Sequence, residues 1–304
     1  MDNVIQPIIG KAGHSFLSPL AKGYLAMVVV LLIWSGFALT ARAIGSSPLT
    51  IADVALIRFF VPMLLFIPLL PSHYQAIKQV RLSDVLFILL GGVPFLFLAF
   101  SGAQAAPTAY VGTILAGTPP LFVALLSYVF YRQKTSMKRA FTLSFILLGI
   151  VVMLSGSAVN LSGDMALGVC YLLGGAVLWA GYTLGLKRAG LGAFTVVIIL
   201  SYLSFFITLA LILFGVLPTN FGAFSVQEAL PFVLVQGIGV GVLSTLGFSY
   251  AVNQLGTARS SVLGSISPGL TALLAVPVIG ESLSIAILCG LTLTIAGVIL
   301  SNRA

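Results

Sequence analysis

The chain has 304 residues, 60% of them hydrophobic and only 7% charged, with a mean hydropathy of +1.19. A soluble domain carries about 25% charged residues, so this composition excludes a water-soluble globular protein and calls for a bilayer. The formal charge of +8 comes from fourteen Lys and Arg residues scattered through short segments, which argues against a basic nucleic-acid-binding domain.

Ten apolar stretches follow in order, at residues 20–43, 51–70, 82–104, 107–130, 138–156, 163–187, 192–216, 226–251, 257–279 and 283–301. Each has about the length a helix needs to cross the hydrocarbon core, and none alternates polar and apolar residues as a barrel strand would. An all-α integral membrane protein with ten transmembrane helices is therefore predicted. The first stretch ends in Thr40-Ala41-Arg42-Ala43, which looks like a signal-peptidase site. The stretch exceeds the ~7–15 residues of a signal core and reads as a retained helix.

In the first span Trp34 and Phe37 share a helical face, and Trp179 and Tyr182 repeat that spacing in the sixth. Both tryptophans lie roughly 20 Å along their spans, deeper than interfacial anchors, so they either pack the bundle or line a cavity. Arg58, in the second span, is the one full charge placed clearly inside the membrane. It is expected to pair with carbonyls or Asp53, or to meet a substrate carboxylate. The third span carries Gly91-Gly92-Val93-Pro94-Phe95. Pro94, Pro120 and Pro268 are each expected to bend a helix or free backbone groups at a gate. Ser101, Gln104, Tyr110, Thr113, Gln236, Ser244 and Ser249 supply neutral hydrogen-bonding groups, the two glutamines being the most costly to bury. Cys170 and Cys289 read as buried small hydrophobes.

If the N-terminus is cytoplasmic, the inner segments hold Lys11, Lys22, Lys78, Arg81, Arg132, Lys134, Lys138, Arg139, Lys187, Arg188, Arg259 and Arg303, and the outer ones only Arg42. This asymmetry predicts that both termini are cytoplasmic. His14 and His73 also fall on the inner side.

A shift of 148 positions lays Phe100-Ser101 on Phe248-Ser249, Pro120 on Pro268, Gly91 on Gly239 and Gly149 on Gly297. A shift of 145 lays Trp34-x-Gly36-Phe37 on Trp179-x-Gly181-Tyr182, and the chain has only two tryptophans. Five spans per unit is an odd number, so the second unit enters the membrane in the opposite sense. The expectation is an inverted repeat of five plus five, with residues 1–156 and 157–304 as the two units.

Trp34 to Phe37, Leu56 to Phe59, Pro120, Pro268 and Gly280-Glu281 together resemble the drug/metabolite transporter superfamily and its ten-helix EamA branch, over essentially the whole chain. The tryptophan-bearing first and sixth spans are similar to YddG-type exporters of aromatic and other amino acids. The family's Gly-Glu pair after the fourth span is replaced by Arg132-Gln133. The resemblance implies export of amino acids or related metabolites across a bacterial inner membrane, with broad drug efflux or a non-transporting receptor or scaffold as alternatives. Alternating access would centre on a cavity lined by spans 1, 3, 4, 6, 8 and 9, with Trp34, Phe37, Phe95, Trp179 and Tyr182 as apolar walls and Ser101, Gln104, Tyr110 and Ser244 as polar contacts. The partners implied are a small-molecule substrate and membrane lipids, and a monomer is compatible with this. No sequence of the HExxH, GxSxG or Walker A kind occurs. Neither an enzyme activity, a cofactor nor a metal is expected.

Overall fold

The computed structural model describes residues 18–156 and 163–302, and every regular element among them is helical. In chain order these are α1 (Pro19–Ala43), α2 (Ile51–Leu65), α3 (Leu70–Lys78), α4 (Leu82–Leu89), α5 (Val93–Ala105), α6 (Thr108–Gly117), α7 (Pro119–Tyr131) and α8 (Met137–Gly156). They continue with α9 (Gly163–Ala189), α10 (Ala193–Leu213), α11 (Val226–Phe232), a π-helical stretch (Val233–Leu243), α12 (Ser244–Leu255), α13 (Thr257–Gly264), α14 (Ser267–Ile279) and α15 (Ile285–Ser301). Among the described residues, eight helical rods are long and apolar enough to cross a membrane, and α2 with its bent continuation makes a ninth. α15 is apolar and 17 residues long. Lys11, His14 and Arg303 lie outside the described residues.

Side-chain caps fix several helix starts. Thr50 and Asp53 form a capping box at α2, and Ser225 with Glu228 forms another at α11. Ser284 accepts from Ile287 N at the start of α15, and Ser136, its partner under the 148-residue shift, accepts from Arg139 N beside α8. The second span runs further than the sequence suggests. Phe66 leaves helical geometry, the chain bends by 50°, and α3 then carries the helix to Lys78. Pro68 and Pro71 fit because each stands in the first turn of a new segment, where no N–H is needed.

Lipid, not water, suits the outer surface. Leu25, Leu125, Phe130, Leu147 and Phe206 are exposed around the bundle, while Ser35, Thr113, Thr208, Gln236 and Thr294 are fully buried. The buried threonines satisfy themselves: Thr113, Thr208 and Thr294 each donate to the carbonyl four residues back, at 2.7, 2.7 and 2.9 Å. Cys170 and Cys289 are exposed, correcting the expectation that they are buried, because a small apolar side chain gains nothing by leaving lipid for the interior.

Helix contacts recur in pairs. α1 packs on α12 and α14, as α9 packs on α5 and α7; α2 packs on α10 and α8 on α15. The α8–α15 crossing is the closest in kind, with Gly149, Gly290 and Gly297 at the contact and backbone atoms of one helix facing those of the other. Not every pairing is repeated. α6 packs on α14, whereas of the corresponding segments α13 lies mainly on α12, α1 and α15 and α7 mainly on α9, with no residue of α7 buried.

Candidate functional site

Each proline expected to act as a kink stands in the first turn of a fresh helix, so the interruption precedes it. The third span breaks at residues 90–92, and Pro94 lies at the start of α5. Thr118 separates α6 from α7, and Pro120 follows; Ser265 and Ile266 separate α13 from α14, and Pro268 follows. The eighth span is interrupted differently, by the π-helical stretch, whose Gly239 is the shift partner of Gly91. The space left by Gly91 matters, since a Cβ there would lie 2.7 Å from the Tyr182 ring.

Beside these interruptions an aromatic series crosses the bundle. Phe37 stacks on Phe95 with ring centroids 6.0 Å apart, Phe95 meets Trp179 at 4.9 Å, and Trp179 meets Tyr182 at 4.9 Å. Phe100 presents its edge to Phe37 at 5.9 Å. Phe95 and Tyr182 are buried, whereas Phe37 and Trp179 are half-buried. Trp34 does not join this series. It packs on Phe248 at 5.4 Å in a separate apolar cluster with Met27, Leu31 and Leu255.

Arg58 ends the series. Its guanidinium carbon lies 5.3 Å from the Phe37 ring centroid, and Nη1 donates to Gln236 Oε1 at 2.7 Å. Gln236 Nε2 donates in turn to Thr40 Oγ1 at 2.7 Å, and Thr40 donates to the Gly36 carbonyl at 2.8 Å. One polar chain thus joins α1, α2 and the π-helical stretch. Asp53 is not its partner. That carboxylate accepts from Thr50, Thr219 and the Asn220 N–H, and among the described residues no carboxylate oxygen lies within 4.0 Å of Arg58.

The other expected polar contacts are dispersed. Gln104 is exposed at one end of the bundle rather than buried, because the helix ends one residue later. Ser101 is half-buried on α5, and Ser244 bonds to its own helix at the Val240 carbonyl, 3.1 Å away. Tyr110 is fully buried and its hydroxyl donates to the Met153 carbonyl at 2.6 Å, locking α6 to α8. Tyr110→Phe is accordingly expected to lower stability by about 1 kcal/mol while leaving solute flux intact, which paired thermal-melt and liposome-uptake measurements will check.

A second polar group closes the Gln104 end. Arg42 Nε lies 3.2 Å from Glu281 Oε1, and Arg42 Nη1 donates to the Ala103 carbonyl at 3.1 Å and also to the Gln104 carbonyl. Glu281 accepts from Thr108 N at 2.8 Å and Thr108 Oγ1 at 3.0 Å. Nearby, a cleft of about 330 Å³ is lined by Ile44, Leu49, Phe97, Gln104 and Pro218. It is separate from the Arg58 series. Thr40, Phe100 and the Arg42–Glu281 pair escaped the sequence reading. For the pair, the signal available was a lone outer arginine together with Gly280-Glu281.

The profile of the EamA-like transporter family matches the chain twice, at residues 21–155 and 166–303. An uncharacterized transporter of Clostridium kluyveri is 22% identical over 293 residues, covering 92% of this chain and 93% of that protein. A crystal structure 21% identical in sequence shares the fold with a TM-score of 0.59, over 92% of this chain and 96% of the other.

Proposed function

The chain belongs to the EamA-like transporter family, and we propose that it is a secondary transporter or facilitator exporting amino acids, aromatic or hydrophobic ones among them, and related metabolites across the bacterial inner membrane. On this reading ten spans form two inverted halves, residues 1–156 and 157–304, with both termini cytoplasmic, and the halves rock about a central site. The observation that carries it is the correspondence of interruptions. The break at residues 90–92 answers the π-helical stretch around Gly239, and the break at Thr118 answers that at Ile266. Irregular backbone at depth is tolerated where protein or a cavity surrounds it, so paired interruptions support a shared central site. The recurring helix contacts and the twofold family match support the same symmetry.

The aromatic series supplies the apolar wall. Phe37 has Arg58, Phe95 and Phe100 around it and still keeps partial exposure, which fits a ring bordering an internal space. Trp179→Ala is expected to cut counterflow of L-phenylalanine in liposomes severalfold with the fold retained. Trp34→Ala should act more weakly, since Trp34 packs in a different cluster. Unchanged flux in both variants sinks the assignment of the cavity. Aromatic walls would also serve broad drug efflux, and competition between labelled L-phenylalanine and a lipophilic cation separates the two.

A further inference from the structure

The two halves build the same corner from different chemistry. Under the 148-residue shift Gln236 corresponds to Ile88, and under the 145-residue shift Phe37 corresponds to Tyr182. Ile88 and the Tyr182 ring pack with Val196 and Ile199, a cluster that contains no cation. The corner containing Phe37 and Gln236 instead holds Arg58, which is 7% exposed. A fold that builds this corner without a cation in one half does not need one there in the other. Hydrocarbon in place of buried charge is commonly neutral or favourable, so the charge calls for another explanation.

Arg58 is also incompletely served. A guanidinium has five N–H donors in a planar fork suited to a carboxylate, and here its one protein acceptor among the described residues is the Gln236 carbonyl oxygen. Gln236 cannot swing away freely, because its amide nitrogen is held by Thr40. The Phe37 ring covers a further side of the guanidinium, and the rings of Phe95 and Trp179 extend from there. We infer that Arg58, held in place by Gln236, is the subsite for the carboxylate of the transported solute, so that the chain selects organic carboxylates with an apolar body and rejects lipophilic cations. The inference rests on the transport reading above and narrows it. The carboxylate completes the fork of Arg58, and the apolar body lies along Phe95 and Trp179.

The test uses the full-length protein in liposomes, with L-phenylalanine, its carboxamide and tetraphenylphosphonium as probes in counterflow. L-phenylalanine is expected to move, and the carboxamide and the cation to move at least tenfold more slowly. Arg58→Gln should reduce L-phenylalanine flux by about thirtyfold or more, the scale of losing one partner of a buried charge pair. Gln236→Glu gives Arg58 a resident carboxylate. That variant should melt at a higher temperature than the wild type and yet lose flux, an opposition that a purely structural role for Arg58 would not produce. Arg58→Leu should melt no lower than the wild type. Flux that Arg58→Gln leaves unchanged, equal flux of acid and amide, or a destabilised Arg58→Leu overturns the carboxylate subsite while the transport reading stands. No wild-type flux of any probe overturns the transport reading itself.

Discussion

Gly290→Leu is expected to destabilise the protein more than any surface substitution, by about 1–3 kcal/mol or more. The reason lies in the α8–α15 crossing. A methyl group on Gly149 would already lie 2.5 Å from the Gly290 carbonyl oxygen, and one on Gly290 would run into the Gly149 carbonyl and the Met153 side chain. Backbone cannot move aside as a side-chain tip can, so the helices must separate. Separation removes the van der Waals contact that holds helices together where lipid offers no hydrophobic drive. Gly192→Leu provides the control, since nothing lies within 4 Å of a Cβ at Gly192 and its φ is an ordinary −65°. Melting in detergent should show Gly290→Leu well below Gly192→Leu. Equal midpoints would mean that the crossing is looser than described.

How much of this was legible in the sequence follows from what each feature depends on. Span boundaries depend on apolar length, which the bilayer fixes, so the expected 138–156 and 163–187 became Met137–Gly156 and Gly163–Ala189. The extension through α3 is not legible because Leu70–Lys78 is amphipathic rather than apolar, and Pro68 and Pro71 look like helix breakers until their first-turn positions are known. The interruption before Pro94 is legible in Gly91-Gly92-Val93-Pro94; Gly91 and Gly92 make the turn, and Pro94 starts the next helix. The π-helical stretch has no compositional mark. Its Gly237 and Gly241 pack against Val61 and the Arg58 carbonyl oxygen respectively.

The site was legible residue by residue but not in its pairings. A buried arginine, two glutamines and paired aromatic residues stood out by their cost or rarity in a membrane. Gln104 and Gln236 carry the same cost if buried, yet only Gln236 is buried, because Gln104 falls at the end of α5. Arg58 and Gln236 are 178 residues apart, and local pattern cannot join them. The two tryptophans occupy equivalent sequence positions but different clusters, Trp34 against Phe248 and Trp179 between Phe95 and Tyr182, and the helix contacts at the two ends of the bundle differ as well.

That inequality carries the last prediction. At the end proposed to face outward, α6 packs on α14 and the Arg42–Glu281 pair ties α1 to the α14–α15 turn, with Thr108 and the end of α5 joined to it. At the other end the corresponding positions are Lys187, 145 residues after Arg42, and Gln133, 148 residues before Glu281. A lysine and a glutamine cannot form an ion pair. Even the turn differs: Gly280 takes its left-handed conformation at φ 79°, while Arg132 takes the equivalent place at φ 54° despite its Cβ. The Arg42–Glu281 latch is therefore not repeated at the other end, where Arg188 of α9 instead pairs with Asp84 of α4 at 2.9 Å. Arg42 is about a third exposed, which screens the pair, so its loss should destabilise the closed end by about 1–2 kcal/mol, roughly a five- to thirtyfold shift in population. With Cys170 and Cys289 replaced by serine and a reporter cysteine at Ser101, Glu281→Ala should speed labelling by an impermeant thiol reagent from outside by that factor. Gln133→Glu, which offers Lys187 a carboxylate, should act in the same direction by stabilising closure of the inner end. Labelling indifferent to both substitutions would show that neither position governs which end opens.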